Sequence, residues 1–286
     1  MADTVSPAAV GWGNLLVPGL GASLRGLPTR GLIEASSEIG LFYGGTFLTK
    51  DGDFRIDGSA VLPATGNVTG AVAAAIMQEV GLKEHMYNTF YHYQQASLDP
   101  ANAELEKSYE QPLYRGDWVD TLVAPFEWKN LSLPAVYIPI IAGGVYVAAT
   151  YKGTPYTPRG SANTTENIFY ATSSALTLPL GSSFGEEVLF RGFIQREVHH
   201  YTHSLLAAIA TETALFTLMH PADLRPAAFA GGVYFGLMAH YFEGDLGPGI
   251  AAHFWTDFIN GVFVYLLFRQ ASHESVPLEA NISIPF

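Results

Sequence analysis

Glu186 and Glu187 stand side by side in the segment GEEVLFRGFIQRE, and Arg191 follows the second carboxylate by four residues. On a helix that spacing puts Glu187 and Arg191 on one face, where carboxylate and guanidinium can pair. Glu186 is then free for another role. Adjacent carboxylates in a medium of low dielectric repel, which suits one of them to take up a proton near neutrality as a general base does. A plain charge cluster at a helix end is the alternative use of the same residues. His220 directly precedes Pro221, and a residue before proline is biased away from α geometry, so this imidazole belongs at a helix end or break. Phe216, four residues earlier, is expected to pack beside it, and a plain interhelical hydrogen bond is the simpler role for the histidine. In AAHFWTDFING, His253 and Asp257 are again four apart, and a carboxylate that orients an imidazole is a catalytic or ligand-binding arrangement. Glu212 precedes His220 by eight residues, about two helical turns, and is an accessory candidate for the same cavity.

The elements that carry these residues are apolar. Of the 286 residues 49% are hydrophobic and 14% charged, against about 25% charged in ordinary soluble domains. Residues 130–151 and 167–185 hold no charge, although Pro179 should kink or break the second stretch. Residues 203–220 carry only Glu212, 226–242 carry no charge, and 246–268 carry only Asp257. Each is near the length a membrane helix needs, which gives five expected spans. Two weaker ones are expected at 32–48, which contains Glu34 and Glu38, and at 60–80. Residues 15–24, rich in Gly and Pro, read as a re-entrant or interfacial turn, and the polar stretch 83–129 as a water-facing connection. The expected fold is therefore all-α, a multi-span transmembrane helical bundle of about six to eight membrane helices. The expected organisation is an N-terminal membrane-associated extension with its polar connection (1–130), a core (131–270) and a polar tail (271–286).

Composition also excludes. Fourteen Lys and Arg against 26 Asp and Glu leave a net charge of −12, the opposite of a nucleic-acid footprint. With no Cys there is no disulfide, thiolate zinc site, iron–sulfur ligation or Cys nucleophile. The opening MADTVSPAAVGWGN lacks the basic start and apolar run of a secretory signal, so insertion is expected to use internal segments. Lys and Arg are spread over nearly every connection, and orientation does not follow from them. His199, His200 and His203 read as a solvated face at a membrane boundary, Ser182 and Ser183 as caps of a helix start, and the four Trp as interface anchors.

Three motifs recur in order on apolar segments: Glu186-Glu187-Val-Leu-Phe-Arg191, Phe216-Thr-Leu-Met-His220 and His253-Phe-Trp-Thr-Asp257. In this the sequence resembles the CPBP intramembrane proteases, which include the type II CAAX prenyl endopeptidases and bacterial abortive-infection proteins; their motifs are E-E-x-x-x-R, F-x-x-x-H and H-x-x-x-[ND]. The resemblance covers about residues 167–268. It implies an integral, multi-pass protein of the bacterial inner membrane that acts as an endopeptidase near the membrane surface. Glu186 would activate water for attack on a peptide carbonyl, with His220 sharing the proton traffic. His253 and Asp257 would stabilise the oxyanion or place the substrate carbonyl. Asp257 stands where prenyl proteases often have Asn, so orienting His253 is the safer role for it. Glu187 and Arg191 form the supporting pair, with Phe216 beside them. The implied partners are the lipid bilayer and a peptide or membrane-protein substrate, prenylated CAAX proteins in eukaryotic relatives; oligomeric state stays open. No cofactor is favoured, although Glu186, His220, His253 and Asp257 would also offer nitrogen and oxygen ligands to a divalent metal such as zinc. Two other functions fit the same residues: a non-proteolytic membrane partner, such as a bacteriocin self-immunity or scaffold protein, and a metal-dependent membrane hydrolase.

Overall fold

The computed structural model describes residues 5–48, 68–151, 180–220, 222 and 224–271. The described residues are all-helical, without strands. Helix α1 (Pro7–Leu16) starts from Ser6, whose hydroxyl accepts from the Ala9 amide, with Pro7 preset for the first turn. The chain then reverses at Gly19 into α2 (Leu20–Leu24); φ there is +76°, and a Cβ would run into the Gly31 carbonyl oxygen, so only glycine fits. This is the turn expected within residues 15–24.

Helices α3 (Pro28–Leu48) and α4 (Val68–Ser97) pack on each other. Their polar side chains form a ladder: Ser37 with Glu84, Glu38 with His85 and Asn88, Glu34 with His92, Arg30 with Tyr91. Gly44 faces Met77, Glu38 pairs with His85 and Asn88, and Glu34 pairs with His92, so the two are antiparallel. Here the expectation of a water-facing connection from residue 83 is overturned. Residues 83–97 complete the 30-residue α4, and Lys83, Met86, Asn88, Phe90, His92 and Tyr93 are buried. Asn88 and His92 find their partners on α3, the Tyr93 hydroxyl accepts from Arg196, and Lys83 pairs with Glu186, which lifts the cost of burying these groups.

Short helices follow, α5 (Ala103–Glu106), α6 (Trp118–Val123) and α7 (Trp128–Leu131), before α8 (Pro134–Tyr151). Asp117 and Asp120 form a capping box on α6. Next, α9 (residues 180–186) passes without a break into a π-helical segment, Glu187–Gln195, and then α10 (Arg196–Thr202). Helices α11 (Leu205–Leu218), α12 (Arg225–Tyr241) and α13 (Gly247–Ala271) complete the chain. Helix α8 packs on α13, α11 on α12, and the π segment on α4, α11 and α12. One apolar cluster joins Met86, Phe90 and Tyr93 of α4 to Val188, Leu189, Phe190 and Phe193 of the π segment and to Leu246 and Ile250. Each of these fully buried side chains contributes about 1.5–3 kcal/mol relative to exposure, which fixes α4 against the segment that carries the paired glutamates.

Among the described residues no helix is long and apolar enough to cross a membrane. Six of the expected spans nonetheless fall on helices, α3, α4, α8, α11, α12 and α13, the one at 60–80 only from Val68, since residues 60–67 lie outside the described ones. Helices α11 and α12 have 14 and 17 residues, short of the roughly 20 a span needs. Helix α8 has 18 with Pro139 inside, and α3 and α4 carry the polar ladder. The stretch expected at 167–185, with Pro179, lies outside the described residues up to 179, as does the tail from 272. The solvated face expected of His199, His200 and His203 holds only for His203. His199 is buried, and His200 is half-buried with its ring stacked 4.1 Å from that of Tyr109.

Candidate active site

The π segment sets the geometry. Short π insertions in α-helices recur at functional sites, because they turn neighbouring side chains in directions that a regular helix does not allow. Glu186, the last α-helical residue, and Glu187, the first π residue, are both buried and face different partners. Glu187 Oε1 accepts from Arg191 Nη1 at 3.2 Å and from His253 Nδ1 at 2.8 Å. Arg191 has no exposed surface; its Nη2 donates to the Gly232 carbonyl at 3.3 Å and lies 3.5 Å from Glu212 Oε2. Its guanidinium also stands 4.6 Å above the Phe216 ring, a cation–π contact that helps hold a charge out of water. The pairing of Glu187 with Arg191 expected from their spacing is present, with Glu212 as a second carboxylate on the same cation.

Glu186 uses its two oxygens differently. Oε1 takes an ion pair from Lys83 Nζ of α4, while Oε2 is buried with no hydrogen-bond partner among the described residues and lies 3.8 Å from His253 Nε2. A second carboxylate, Asp257, sits 3.4 Å from the same His253 nitrogen and accepts from Ser182 Oγ at 2.9 Å. His253 is thus gripped at Nδ1 by Glu187 and faced at Nε2 by Asp257 and Glu186, with the Phe235 ring stacked on it at 4.8 Å. Ser182, expected as a cap, is hydrogen-bonded to the carboxylate that faces the imidazole.

His220 lies just past the end of α11, where its backbone N–H bonds to the Thr217 carbonyl. Its Nδ1 is 2.7 Å from the Phe216 carbonyl oxygen. A carbonyl only accepts, so Nδ1 carries the proton and Nε2 of the neutral ring keeps its lone pair. The Phe216 ring packs 4.5 Å from the imidazole, as the spacing implied. His220 is buried and interacts electrostatically with Glu186 and His253.

The fold therefore gathers Glu186, Glu187, Arg191, Phe216, His220, His253 and Asp257, expected from three separate segments, into one buried cluster. Residues 168–259 match the family described as type II CAAX prenyl endopeptidase Rce1-like. This segment belongs to the CAAX protease family. The match spans about a third of the chain and contains all three motifs. No curated protein and no solved structure matches the chain.

Two features of the buried cluster escape a reading of its motifs. Lys83 lies 103 residues from Glu186 and outside the matched segment, in a stretch whose polar composition suggests solvent. Only its isolation as a cation, with an apolar helix before it and aromatic residues after it, could have pointed inward. The π winding has no spacing signature at all. For a metal, the oxygen and nitrogen donors are of suitable chemistry, but no group of three or more His, Asp or Glu among the described residues converges as a metal cluster. The cation that meets Glu186 is the Lys83 ammonium, so no step is routed through a metal.

Proposed function

We propose that the chain is a peptide-bond hydrolase of the CAAX-protease type, working at a membrane with Glu186 as general base. The observation that carries this reading is the unequal use of the Glu186 carboxylate. One oxygen is fixed by an ammonium, and the other is buried, without a hydrogen-bond partner among the described residues, and directed toward an imidazole that two carboxylates hold in place. A water beside Oε2 would give up its proton to Glu186 as its oxygen attacks the scissile carbonyl. The lone pair at His220 Nε2 offers a second acceptor for that proton before it passes to the leaving amine. With Nδ1–H given to Glu187, a second proton on Nε2, which Asp257 and Glu186 face, makes the His253 ring an imidazolium; that Nε2–H would be donated to the developing oxyanion, with Glu187 and Asp257 preorganising the ring so that little reorganisation is needed. Arg191 holds Glu187 and so supports that alignment.

Outward-facing apolar side chains support the membrane setting. Ile138, Ile141 and Val145 of α8 share one helical face and are exposed, as are Leu32 and Ile33 of α3, Leu206 and Leu218 of α11, and Phe229 and Tyr241 of α12. A helix packed on a water-soluble protein turns polar residues outward at such positions.

The test compares wild type with Glu186→Ala and His220→Ala. Purified proteins in detergent are given a quenched-fluorescent peptide ending in a farnesylated CAAX sequence, and the same peptide without the prenyl chain. In the native host, new protein termini in the membrane fraction are read by mass spectrometry. Cleavage by wild type alone is the expected result, and the peptide pair reports whether the prenyl group is required. If the three proteins, equally expressed and folded, cleave neither peptide and give the same termini, the peptidase reading fails and a binding role takes its place.

A further inference from the structure

We propose that Lys83, supplied by a helix outside the CAAX-protease segment, is a positioning residue for Glu186; the proposal rests on Glu186 being the base. Three observations carry it. First, the ammonium forms an ion pair with Glu186 Oε1, and both side chains are buried, the lysine side chain exposing 5% of its surface and the glutamate 3%. Two such groups remain charged inside a protein only because each compensates the other. Second, the lysine stem is seated in a groove made for it. A Cβ on Gly185 would stand 3.2 Å from Cα, Cβ and Cδ of Lys83, and one on Gly181 would stand 3.3 Å from Cγ. Glycines four apart on α9 therefore let α4 approach closely enough for the stem to lie flat and deliver Nζ to the residue that follows Gly185. Third, a second carboxylate near Nζ, Glu79 Oε2, lies at 3.8 Å and is more exposed than Glu186, so of these two Glu186 holds the nearer contact.

The consequence concerns which oxygen reacts. With Oε1 occupied by the ammonium, the carboxylate cannot rotate without breaking a buried ion pair, and Oε2 is the oxygen kept toward His253 Nε2 and any water between them. Lys83 touches neither substrate nor the reacting atoms in this scheme. It acts through Glu186, setting both its charge and its direction. The N-terminal helices then do more than anchor the chain, since one of them completes the site.

The experiment uses the full chain in detergent with the farnesylated CAAX peptide as probe and compares wild type, Lys83→Met, Lys83→Arg, Glu186→Gln and the double variant Lys83→Met/Glu186→Gln. Lys83→Met is expected to lower kcat by about 100-fold, in the range of a general base losing its alignment, with KM little changed. Lys83→Arg keeps the same stem as far as Cδ and a permanent cation, and is expected to recover most of that loss. In the Glu186→Gln background Lys83→Met should cost nothing more, because the two residues act as one unit. A residue that only stabilises the fold would lower the melting temperature and give additive losses in kcat. The proposal is overturned if Lys83→Met retains wild-type kcat while Glu186→Gln is inactive, or if the double variant loses activity additively. Should Lys83→Met not fold, an inactive but folded Lys83→Arg overturns it equally. If Glu186→Gln itself cleaves at the wild-type rate, the assignment of the base has failed, and that outcome is distinct from the others.

Discussion

Replacing Arg191 with methionine tests the electrostatic frame of the site. Arg191 is wholly buried and is the cation between two carboxylates, Glu187 at 3.2 Å and Glu212 at 3.5 Å. Methionine has similar length and retains favourable contact with the Phe216 and Phe235 rings, so the packing loss is small. The electrostatic loss is not, because removing one partner of a buried ion pair leaves an uncompensated charge and costs about 3–5 kcal/mol. At roughly 2–4 °C of Tm per kcal/mol for a chain of this size, the expected fall is about 6–20 °C. Thermal unfolding followed by tryptophan fluorescence in detergent, at one fixed scan rate, reads it. Adding Glu212→Gln to Arg191→Met removes one of the two stranded charges while leaving an amide oxygen to accept from Thr213 Oγ1, as Glu212 Oε1 does at 3.2 Å. The double variant should therefore be more stable than Arg191→Met alone by at least about 1 kcal/mol, the coupling expected between residues in direct contact. A fall of under about 2 °C for Arg191→Met, or strictly additive destabilisation in the double variant, would refute the view that this guanidinium compensates both carboxylates.

His92→Leu should destabilise the chain by about 2–4 kcal/mol, read in the same thermal assay, because the buried ring bridges Arg25 Nη1 at 2.9 Å and Glu34 Oε2 at 2.7 Å. Gly192→Ala places a Cβ 2.7 Å from Phe90 Cε2 and 3.1 Å from Leu246 Cδ1; overpacking at that crossing should cost about 1–3 kcal/mol, and Phe90→Leu in the same chain should relieve part of it. EDTA should leave cleavage of the farnesylated peptide unchanged. Inhibition reversed by added zinc would instead place Glu186, His220 and His253 in a metal's coordination shell.

Local spacing made much of the site legible. Glu187 with Arg191, Phe216 with His220, and His253 with Asp257 are each four residues apart, and all three pairs are in contact. Such pairs report only their own helix. The shared order of the motifs suggests that the three helices meet in one cluster, and the contacts of His253 with Glu186 and Glu187 and of the Phe216 ring with Arg191 and His253 supply it. The all-helical fold was likewise legible from the apolar stretches, six of which fall on helices. The number of spans was not, since hydropathy scores residues one at a time while α11 and α12 are cut short by turns.

The errors share one physical origin. A stretch such as KEHMYNTFYHYQQ reads as solvated because every second or third side chain is polar. Its partners sit about 50 to 100 residues away: Glu38 for His85 and Asn88, Glu34 for His92, Glu186 for Lys83. Glu34 and Glu38, which weakened the case for α3 as an apolar helix, are the other halves of those same pairs. Burial of a polar group is a property of a pair, and its cost is lifted only when the partner arrives. Glu34, Glu38 and their partners on α4 are therefore misread together and in the same direction, whereas at Glu186 only the lysine half is. The consequence is largest at Lys83, whose partner Glu186 belongs to the cluster that carries the proposed chemistry. A chain truncated to its CAAX-protease segment would keep every motif residue and lose the cation at Glu186, so the segment's motifs are not by themselves the whole site.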